Sequence, residues 1–446
     1  MNDSVSTASG PGAAYAAYAA RRLRLMQGMH SGVAVVPTAP ERARNRDTQY
    51  PYRFDSYFYH LSGFTEPESV LVLVAGATPR CILFCREKNE EREIWDGFRH
   101  GPAAARERYG FDEAWPIAQL DEKLVELLAD QPTLWYLPGA DAAWDARAMG
   151  WLNTVREKVR IGVTAPSNIG DLRNLLDEMR LVKDSSELAA MRRAADISAE
   201  AHRRAMRATR PGRHEFEIEA ELLYAFRMGG AQYPAYTPIV ASGANACVLH
   251  YVANDARMAD GDLLLIDAGC EYDGYAADIT RTFPVNGRFS PAQREIYELV
   301  LAAQAAAIAA TRAGAGWNEP HDAAVRVLTQ GMLDFGLLAG SLDAALEQET
   351  YRRFYMHRTG HWLGLDVHDA GDYKKDGAWR PLVAGMTLTV EPGLYVRPAQ
   401  DVPERYWNIG VRIEDDALVT MAGCEILTHA TPKSVADIEI LMRDAG

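Results

Sequence analysis

Acidic residues inside apolar, strand-like segments constrain this chain more than any other feature. Asp267 and Asp278 lie in LLLIDAGCEYDGYAADITRTF, Glu391 lies in LTVEPGLY and Glu414 in GVRIEDD. Because a buried carboxylate without a positive partner is strongly destabilising, a fold that buries all four must place compensating charge among them. His361, in the turn-rich segment MHRTGHWLG, is a fifth polar residue of the same region.

The residue types of this set indicate a metal centre. Oxygen ligands with a single imidazole are typical of Mn²⁺, Co²⁺ or Zn²⁺ pairs rather than of structural zinc sites. Two divalent ions would balance the four carboxylates, and a bridging hydroxide would leave a charge of about −1, whereas one ion would leave too much buried negative charge. The five residues therefore predict a two-metal hydrolase centre, provided that they converge.

The spacing of the two aspartates favours convergence. Gly261–Ile266 is predicted to form one strand and Tyr275–Phe283 a second, with Glu271–Gly274 as the turn. A two-residue Asp-Gly loop makes Asp267 and Asp278 diagonal neighbours on one face, and a four-residue loop places them directly opposite. In both registers their Cβ atoms lie roughly 4.5–8 Å apart. A three-residue loop would instead place the two side chains on opposite faces of the hairpin. Two bare carboxylates so close would destabilise the hairpin, which indicates a cation.

Each candidate taken alone has a simpler interpretation. A single buried acid is most often a cap or a hydrogen-bonded turn residue, and His361 alone is most often a satisfied core histidine. His357 and His361 are four positions apart, as in the helical zinc motif, but no glutamate follows His357 and Gly360 lies between them. We therefore reject that motif. Arg412 and Glu414 are two apart in VRIE, so they share one face of a strand.

The composition excludes several classes of partner. A net charge of −14 without a broad basic region argues against nucleic acid. No apolar run approaches the roughly 18 residues of a membrane-spanning helix. The segment through Ala20 lacks a basic stretch followed by an apolar core, so we expect no signal peptide. Five cysteines without a Cys-x-x-Cys motif favour a reducing, cytoplasmic location.

The pattern along the chain changes near residue 176. Before it, a helix over Tyr15–Met29 precedes short apolar strands such as Val33–Val36 that alternate with helical stretches, an α/β pattern. The capping box Asp184–Glu187 then begins a longer helix. Two units of helices followed by paired strands come next, at about 185–283 and 291–416, and each ends in an acidic hairpin. We predict two domains, residues 1–176 and 177–446.

In this order and in these local sequences, the five candidate ligands resemble those of the pita-bread metallopeptidases, and more narrowly those of the bacterial Xaa-Pro aminopeptidase (aminopeptidase P) family. The resemblance covers nearly the whole chain and includes Tyr52–Phe64, Glu66–Glu68, Ile94–Gly97 and Tyr233–Tyr236. His60 and Asp96 are small departures from the usual pattern. The resemblance implies an α/β (α+β) protein, in which an N-terminal mixed-sheet α/β domain precedes a pita-bread catalytic domain with metals between two pseudo-symmetric halves.

The resemblance also implies a role for each metal ligand. Asp267 would hold one ion, His361 and Glu391 the other, and Asp278 and Glu414 would bridge both. Two ions about 3.5–4 Å apart lower the pKa of a bridging water, so that hydroxide attacks the carbonyl of the residue before proline. Glu391 would carry the proton of that water to the leaving proline nitrogen.

Further residues would shape the substrate site. Imidazoles can donate to a carbonyl oxygen and to the oxyanion that forms from it. The resemblance implies catalytic roles beside the metals for four residues: His250, His357, His368 and Arg412. It places His357 and His368 nearest the proline. It implies substrate contacts for three more residues: Tyr236, Tyr395 and Trp95, the last of which would cover the pocket.

The activity implied by the resemblance is release of the N-terminal residue from peptides with proline second. Prolidase, which cleaves only dipeptides, is the near alternative. A non-catalytic pita-bread binding protein or a metal-free creatinase-type hydrolase is a more distant one, since both normally lack the full ligand set. We expect two Mn²⁺ ions, with Co²⁺ or Zn²⁺ as alternatives, and a homo-oligomer, a dimer or tetramer, with no nucleic acid or membrane as partner.

Overall fold

The computed structural model describes residues 11–444, and the chain divides between Met179 and Arg180 into two compact units. This division falls within one helix, α7 (Arg173–Leu181). The domain assignment 1–176 and 177–446 stays a prediction. None of the helices in the described part of the chain is long and apolar enough to cross a lipid bilayer.

The first unit is built around one mixed sheet. Its helices are α1 Pro11–Met29, α2 Ser56–Ser62, α3 Glu90–Asp96, α4 Gly101–Tyr109, α5 Leu120–Leu128 and α6 Ala142–Arg156, followed by α7. Its strands are β1 Gly32–Pro37, β2 Ala43–Asn45, β3 Thr48–Gln49, β4 Val70–Ala75, β5 Arg80–Cys85, β6 Glu113–Pro116, β7 Thr133–Tyr136 and β8 Asn168–Asp171. The predicted helix over 15–29 and the strand over 33–36 are confirmed.

Six of these strands form the sheet, in the order β6-β5-β4-β1-β7-β8. Strand β4 runs antiparallel to β1 and β5, while the remaining pairs are parallel. Apolar residues alternate between its faces, since Val33 and Val35 belong to one core cluster and Ala34 and Val36 to another. Burial on both faces explains why the central strand β4, VLVLVA, is apolar at every position.

The second unit repeats one order of elements. Its helices are α8 Ser185–Ala208, α9 Glu215–Met228, α10 Pro291–Ala310, α11 Glu319–Asp334, α12 Leu342–Glu347 and α13 Val435–Arg443. Helix α8 packs on α9 and α10 on α11, and each pair precedes a set of strands. The predicted capping box is confirmed, because the Asp184 side chain accepts from backbone N–H groups of the first turn of α8 and Glu187 bonds back to the Asp184 N–H.

The strands of the second unit form several small antiparallel sheets. The first set comprises β9 Tyr233–Pro234, β10 Ile239–Ser242, β11 Leu263–Asp267, β12 Cys270–Tyr272, β13 Tyr275–Ala276 and β14 Thr280–Pro284. The second comprises β15 Lys374–Lys375, β16 Ala378–Trp379, β17 Thr387–Val390, β18 Gly393–Val396, β19 Ile409–Arg412, β20 Asp415–Val419 and β21 Cys424–Ile426. One continuous apolar cluster runs through both sets and their helices.

The acidic hairpin of the first set keeps one register along its whole length. Its turn is the two-residue loop Asp273-Gly274, between paired Tyr272 and Tyr275. The predicted single strand over 275–283 is wrong in one respect, since it is interrupted between β13 and β14. At this interruption the two arms of the hairpin approach closely: a Cβ atom at Gly269 would lie 1.7 Å from the Ala277 carbonyl oxygen, so only glycine fits there.

Candidate metal centre

Strand ends place the four acidic candidates. Asp267 ends β11 opposite Thr280, so Asp278, two residues earlier, is its diagonal neighbour on the same face. This is the register expected from the two-residue loop. Glu391 directly follows β17, and Glu414 lies between β19 and β20.

A tyrosine joins the two aspartates. The Tyr236 hydroxyl lies 2.6 Å from Asp267 Oδ1 and 2.5 Å from Asp278 Oδ1. Arg412 Nη2 donates to the other oxygen of Asp267 at 2.6 Å. Burial raises the pKa of Asp267, although the Arg412 charge opposes the shift. The two aspartates can therefore lie close together because the Tyr236 hydroxyl and the Arg412 guanidinium donate to them, which offsets the repulsion between like charges.

The orientation of His361 suits a ligand. Its Nδ1 lies 2.9 Å from the Trp362 carbonyl oxygen, which can only accept, so Nδ1 carries a hydrogen and Nε2 faces the acids. Nε2 is 3.4 Å from Asp278 Oδ2 and 3.7 Å from Glu391 Oε1. Burial disfavours the imidazolium, but the hydrogen bond to Asp278 and the charge of Glu391 outweigh it and raise the pKa to about 9.

The two glutamates are buried among like charges. Burial raises the pKa of Glu391 to about 7 against the opposing charges of His361 and Arg412. Burial, followed by the charge of Asp278, raises the pKa of Glu414 well above its usual range. Glu414 Oε2 accepts a hydrogen bond of 2.7 Å from the Thr280 hydroxyl. In the absence of a cation, both groups are thus forced towards the protonated state.

These observations fit a divalent metal site. One ligand atom each of Asp278, His361 and Glu414 lies within 4.8 Å of the other two. Asp267 and Glu391 flank this group through the contacts described above. The structure therefore brings all five predicted residues together, although their individual roles stay a prediction. Metal ions would neutralise these carboxylates, which burial and mutual repulsion otherwise drive towards protonation.

A directed chain of hydrogen bonds runs outward from Asp267. Arg412 Nη1 donates to the Tyr395 hydroxyl at 3.0 Å, and Tyr395 lies 2.9 Å from His357 Nε2. His357 Nδ1, 2.7 Å from the Arg358 carbonyl oxygen, must donate there, so Nε2 accepts from Tyr395. Burial and then the Arg412 charge lower the pKa of His357 to about 3. His357 is therefore neutral beside Glu391, with 3.9 Å between Nδ1 and Oε2.

These groups open into a cavity of about 780 Å³. The predicted site residues that line it are Tyr236, His250, Asp267, Asp278, His357, His361, His368, Glu391, Arg412 and Glu414. His368 is exposed, and its ring centroid lies 4.3 Å from that of His361. Tyr395 is 1% exposed behind His357 and is not among the lining residues. Trp95 belongs to the first unit, where it is 80% exposed, and its covering role stays a prediction.

Buried carboxylates fasten the segments that carry two of the histidines. Glu215 is fully buried, and its oxygens accept from five donors around the segment of His250: Ser242 N and Oγ at 2.7 Å each, Asn245 Nδ2 at 3.2 Å, Tyr251 Oη at 2.8 Å and Ala256 N at 2.9 Å. Asp369, next to His368, accepts from Lys183 Nζ at 2.9 Å and Arg180 Nη2 at 2.5 Å. The sequence analysis missed both acids.

Two acids after Glu414 were also missed. Asp278 N donates to both carboxylate oxygens of Asp416 at 3.2 Å. Asp415 faces the other way and accepts from Arg281 Nη2 at 2.7 Å. Arg281 also donates to the Thr280 and Glu414 carbonyls at 3.0 and 2.6 Å. The sequence did contain a signal for them. Three acidic residues, 414–416, follow an apolar strand, and because alternate residues of a strand share a face, Asp416 is expected on the side of Glu414 and Asp415 on the other.

Comparison with known sequences shows to which proteins this chain is similar. The model of metallopeptidase family M24 matches residues 189–421, and that of the aminopeptidase P N-terminal domain matches residues 18–135. Xaa-Pro aminopeptidase of Escherichia coli K12 is 45% identical over 95% of this chain and 96% of its own. The corresponding protein of Haemophilus influenzae is also 45% identical, over 95% and 96%.

Solved structures agree with this result. Aminopeptidase PepP of Pseudomonas aeruginosa has a TM-score of 0.95 and 51% identity, covering 97% of this chain and 98% of that one. Escherichia coli aminopeptidase P with the inhibitor Pro-Leu has a TM-score of 0.94 and 44% identity, covering 99% of each chain. The predicted fold class, with its pita-bread domain, is confirmed. The chain belongs to metallopeptidase family M24 and carries the aminopeptidase P type of N-terminal domain before its catalytic one.

Proposed function

We propose that this protein is a metal-dependent Xaa-Pro aminopeptidase, which releases the first residue of peptides whose second residue is proline. The observation that carries the proposal is His361, whose Nε2 faces Asp278 and Glu391 at the base of a cavity that also exposes His250 and His368. Relatives named Xaa-Pro aminopeptidase, aligned over almost the whole chain, support the same activity.

The cofactor we propose is a pair of divalent ions, most simply Mn²⁺, with Co²⁺ or Zn²⁺ as alternatives. Asp267, Asp278, His361, Glu391 and Glu414 would hold them. Two such ions are also what the charge balance favours, because Arg412 is the only other cation in contact with the four carboxylates among the described residues. When bound, the ions would supply a hydroxide nucleophile near neutral pH and polarise the scissile carbonyl.

The residues of the chain have their own parts in the reaction. Glu391 would accept the proton of the attacking water and return it to the leaving proline nitrogen. The free α-amino group of a peptide would be anchored beside the metal ions. His250 and His368 line the cavity and can donate to the carbonyl and the oxyanion. His357, held neutral by burial and by the Arg412 charge, would position the substrate chain.

Proline selection follows from the chemistry of the bond. The amide before proline is tertiary and has no N–H, so a protease that recognises this N–H binds it poorly. We propose that His357 and His368 contact the ring, with Tyr395 acting through its hydrogen bond to His357. Cytoplasmic location and assembly into a dimer or tetramer are part of the proposal. Five free cysteines agree with a reducing compartment.

The test compares four peptides with protein loaded to saturation with Mn²⁺: Xaa-Pro, Xaa-Pro-Xaa-Xaa, the latter with alanine for proline, and the latter with an acetylated N-terminus. We expect the tetrapeptide to be cleaved faster than the dipeptide. Alanine should cost most of the rate, because the ring contacts are lost, and acetylation should abolish cleavage, because the amine is the anchor. Hydrolysis confined to the dipeptide would instead make this protein a prolidase.

A further inference from the structure

The rim of the catalytic cavity carries two cations around an exposed indole. Arg358 and Trp379 line the cavity together with Asp267 and Glu414, so one continuous space connects the metal centre with this rim. The Arg358 guanidinium lies 5.1 Å from the Trp379 ring centroid, and Lys374 Nζ lies 4.5 Å from it. Trp379 is 40% exposed. Both cations thus contact the same indole, which lines the mouth of the cavity.

Neither cation is neutralised. Within residues 11–444, Arg358 and Lys374 form no ion pair with a carboxylate, and Arg358 donates only to the neutral side-chain amide of Asn318. The chain has 61 acidic and 47 basic residues, so potential acidic partners are plentiful. Two adjacent cations without an acid therefore leave a local positive potential at the mouth of a cavity whose base is acidic.

The rim is built on a rigid support. Strands β15 and β16 form a hairpin that places Lys374 directly opposite Trp379. Its two-residue turn, Asp376-Gly377, has φ angles of 52° and 80°, as tight hairpin turns require. Tyr373, at the base of the hairpin, packs 4.6 Å from the ring of Trp317. The hairpin therefore fixes the backbone of Lys374 beside that of Trp379 at the rim.

The position of the rim relates it to one end of the substrate. Arg358 directly follows His357, and the hairpin follows the segment of His368. These two histidines are the proposed contacts of the proline, so the rim lies on the side of the leaving peptide. A short peptide has the matching polarity, since its amine carries positive charge and its carboxyl end negative charge.

We propose that Arg358, Lys374 and Trp379 form a subsite for a carboxylate on the leaving part of the substrate, either a free C-terminus or an acidic third side chain. The inference rests on the proposed function and adds to it a charge preference beyond the proline. The guanidinium and ammonium donate to the carboxylate, while the indole positions both. Each exposed ion pair of this kind changes affinity by about two- to fivefold.

The test uses Mn²⁺-loaded full-length protein and two matched substrate pairs. Ala-Pro-Ala is compared with its C-terminal amide, and Ala-Pro-Asp amide with Ala-Pro-Asn amide. We expect the wild type to show a KM about fivefold lower for the charged member of at least one pair. The pair that responds identifies the source of the carboxylate. The preference should shrink in 1 M salt, where exposed charges are screened.

Variants assign the preference to the rim. Arg358→Met and Lys374→Met should each reduce the charged-to-neutral ratio of KM values, and Arg358→Lys should keep part of it. Lys375→Met is the matched control, because Lys375 is an exposed lysine of the same strand that lies on the opposite face from Lys374. Its ratio should equal that of the wild type. Because each ratio is internal to one protein sample, loss of folded protein does not change it.

Two results would overturn the proposal. Equal KM values for charged and neutral peptides in the wild type would remove the subsite while leaving the proposed activity standing. A preference that Arg358→Met and Lys374→Met leave unchanged would place the carboxylate elsewhere. Failure of the metal-loaded wild type to cleave any of these peptides would overturn the proposed function, and the subsite with it.

Discussion

Glu215→Gln tests how the His250 segment is held. The substitution keeps the shape of the side chain but turns one carboxylate oxygen into an NH₂ group. Both oxygens of Glu215 accept from a backbone N–H, that of Ser242 on one side and that of Ala256 on the other. Since an NH₂ group cannot accept, at least one of these N–H groups loses its partner in either orientation of the amide.

The expected loss of stability follows from the number of hydrogen-bond donors that contact the Glu215 carboxylate. The less costly orientation turns the NH₂ group towards Tyr251 and Ala256, because the Tyr251 hydroxyl can rotate and accept. One partly buried N–H then goes unpaired at about 1–3 kcal/mol, and the bonds that remain lose the assistance of a charged acceptor. We expect a loss of about 2–3 kcal/mol, which corresponds to about 30- to 150-fold easier opening of the segment.

Amide hydrogen exchange measures this opening directly. Exchange across residues 242–256 should accelerate by that factor, while strands of the first unit stay as in the wild type. The rate of peptide cleavage should fall as well, because His250 lies on the segment. Glu219→Gln is the matched control on the same helix: within the described part of the chain Glu219 accepts one bond, of 3.1 Å from Asn254, and glutamine keeps an accepting oxygen.

Exchange in Glu215→Gln within twofold of the wild type would refute the reasoning, since it would show that the carboxylate does not fasten the segment. An equal acceleration in Glu219→Gln would refute it as well, because the effect would then not depend on the five donors.

Three further predictions concern the metal centre and its surroundings. In metal-free protein, His361 has a pKa of about 9 against 6.5 unfolded, and Glu391 one of about 7 against 4.5. Both bind protons more tightly when folded, so their stabilisation is present at low pH and is lost as pH rises. Above about pH 7 the buried histidines of lowered pKa, such as His357, are neutral in both states, so the melting temperature should fall as pH rises from about 7 to 9, a fall that Mn²⁺ removes. Asp278→Asn should lose at least one ion by metal analysis, because a neutral amide does not bridge two cations. Lys183→Met should cost about 3 kcal/mol in urea unfolding, because it removes a partner 2.9 Å from buried Asp369.

Each of these predictions has a contrary outcome. A melting temperature of metal-free protein that rose with pH over this range would contradict the proton affinities of His361 and Glu391. Retention of two ions by Asp278→Asn, at the level of the turn control Asp273→Asn, would contradict a bridging role. Asn suits that control because Asp273 has a φ of 50°, which asparagine tolerates. Unchanged urea stability in Lys183→Met would show that Arg180 alone satisfies Asp369.

Local signals were enough to predict the acidic hairpin. The Asp-Gly turn and the period of two residues placed Asp267 and Asp278 on one face, and the structure has the diagonal register. The capping box at Asp184 was equally local. In each case the interacting residues are close in sequence, so turn chemistry and strand parity determine the contact.

Contacts between distant segments could not be predicted in the same way. Arg412 and Asp267 are 145 positions apart, and their 2.6 Å contact depends on how the two sets of strands pack. The family resemblance implied that Tyr395 contacts the substrate, but packing places it behind His357, outside the cavity lining. For one group of residues a local rule was sufficient. Alternation along a strand predicts that Glu414 and Asp416 lie on one face and that Asp415 lies on the other.

The separation between the two halves of the metal centre has a consequence for folding kinetics. Asp267 and Asp278 belong to one hairpin, a structure of a kind that forms in microseconds. Glu414 meets that hairpin through Thr280, across 134 positions of sequence, and closing so long a loop is slow. A complete set of ligands thus exists only after the last long-range contacts have formed. Bound metal should therefore slow unfolding and leave the folding rate almost unchanged.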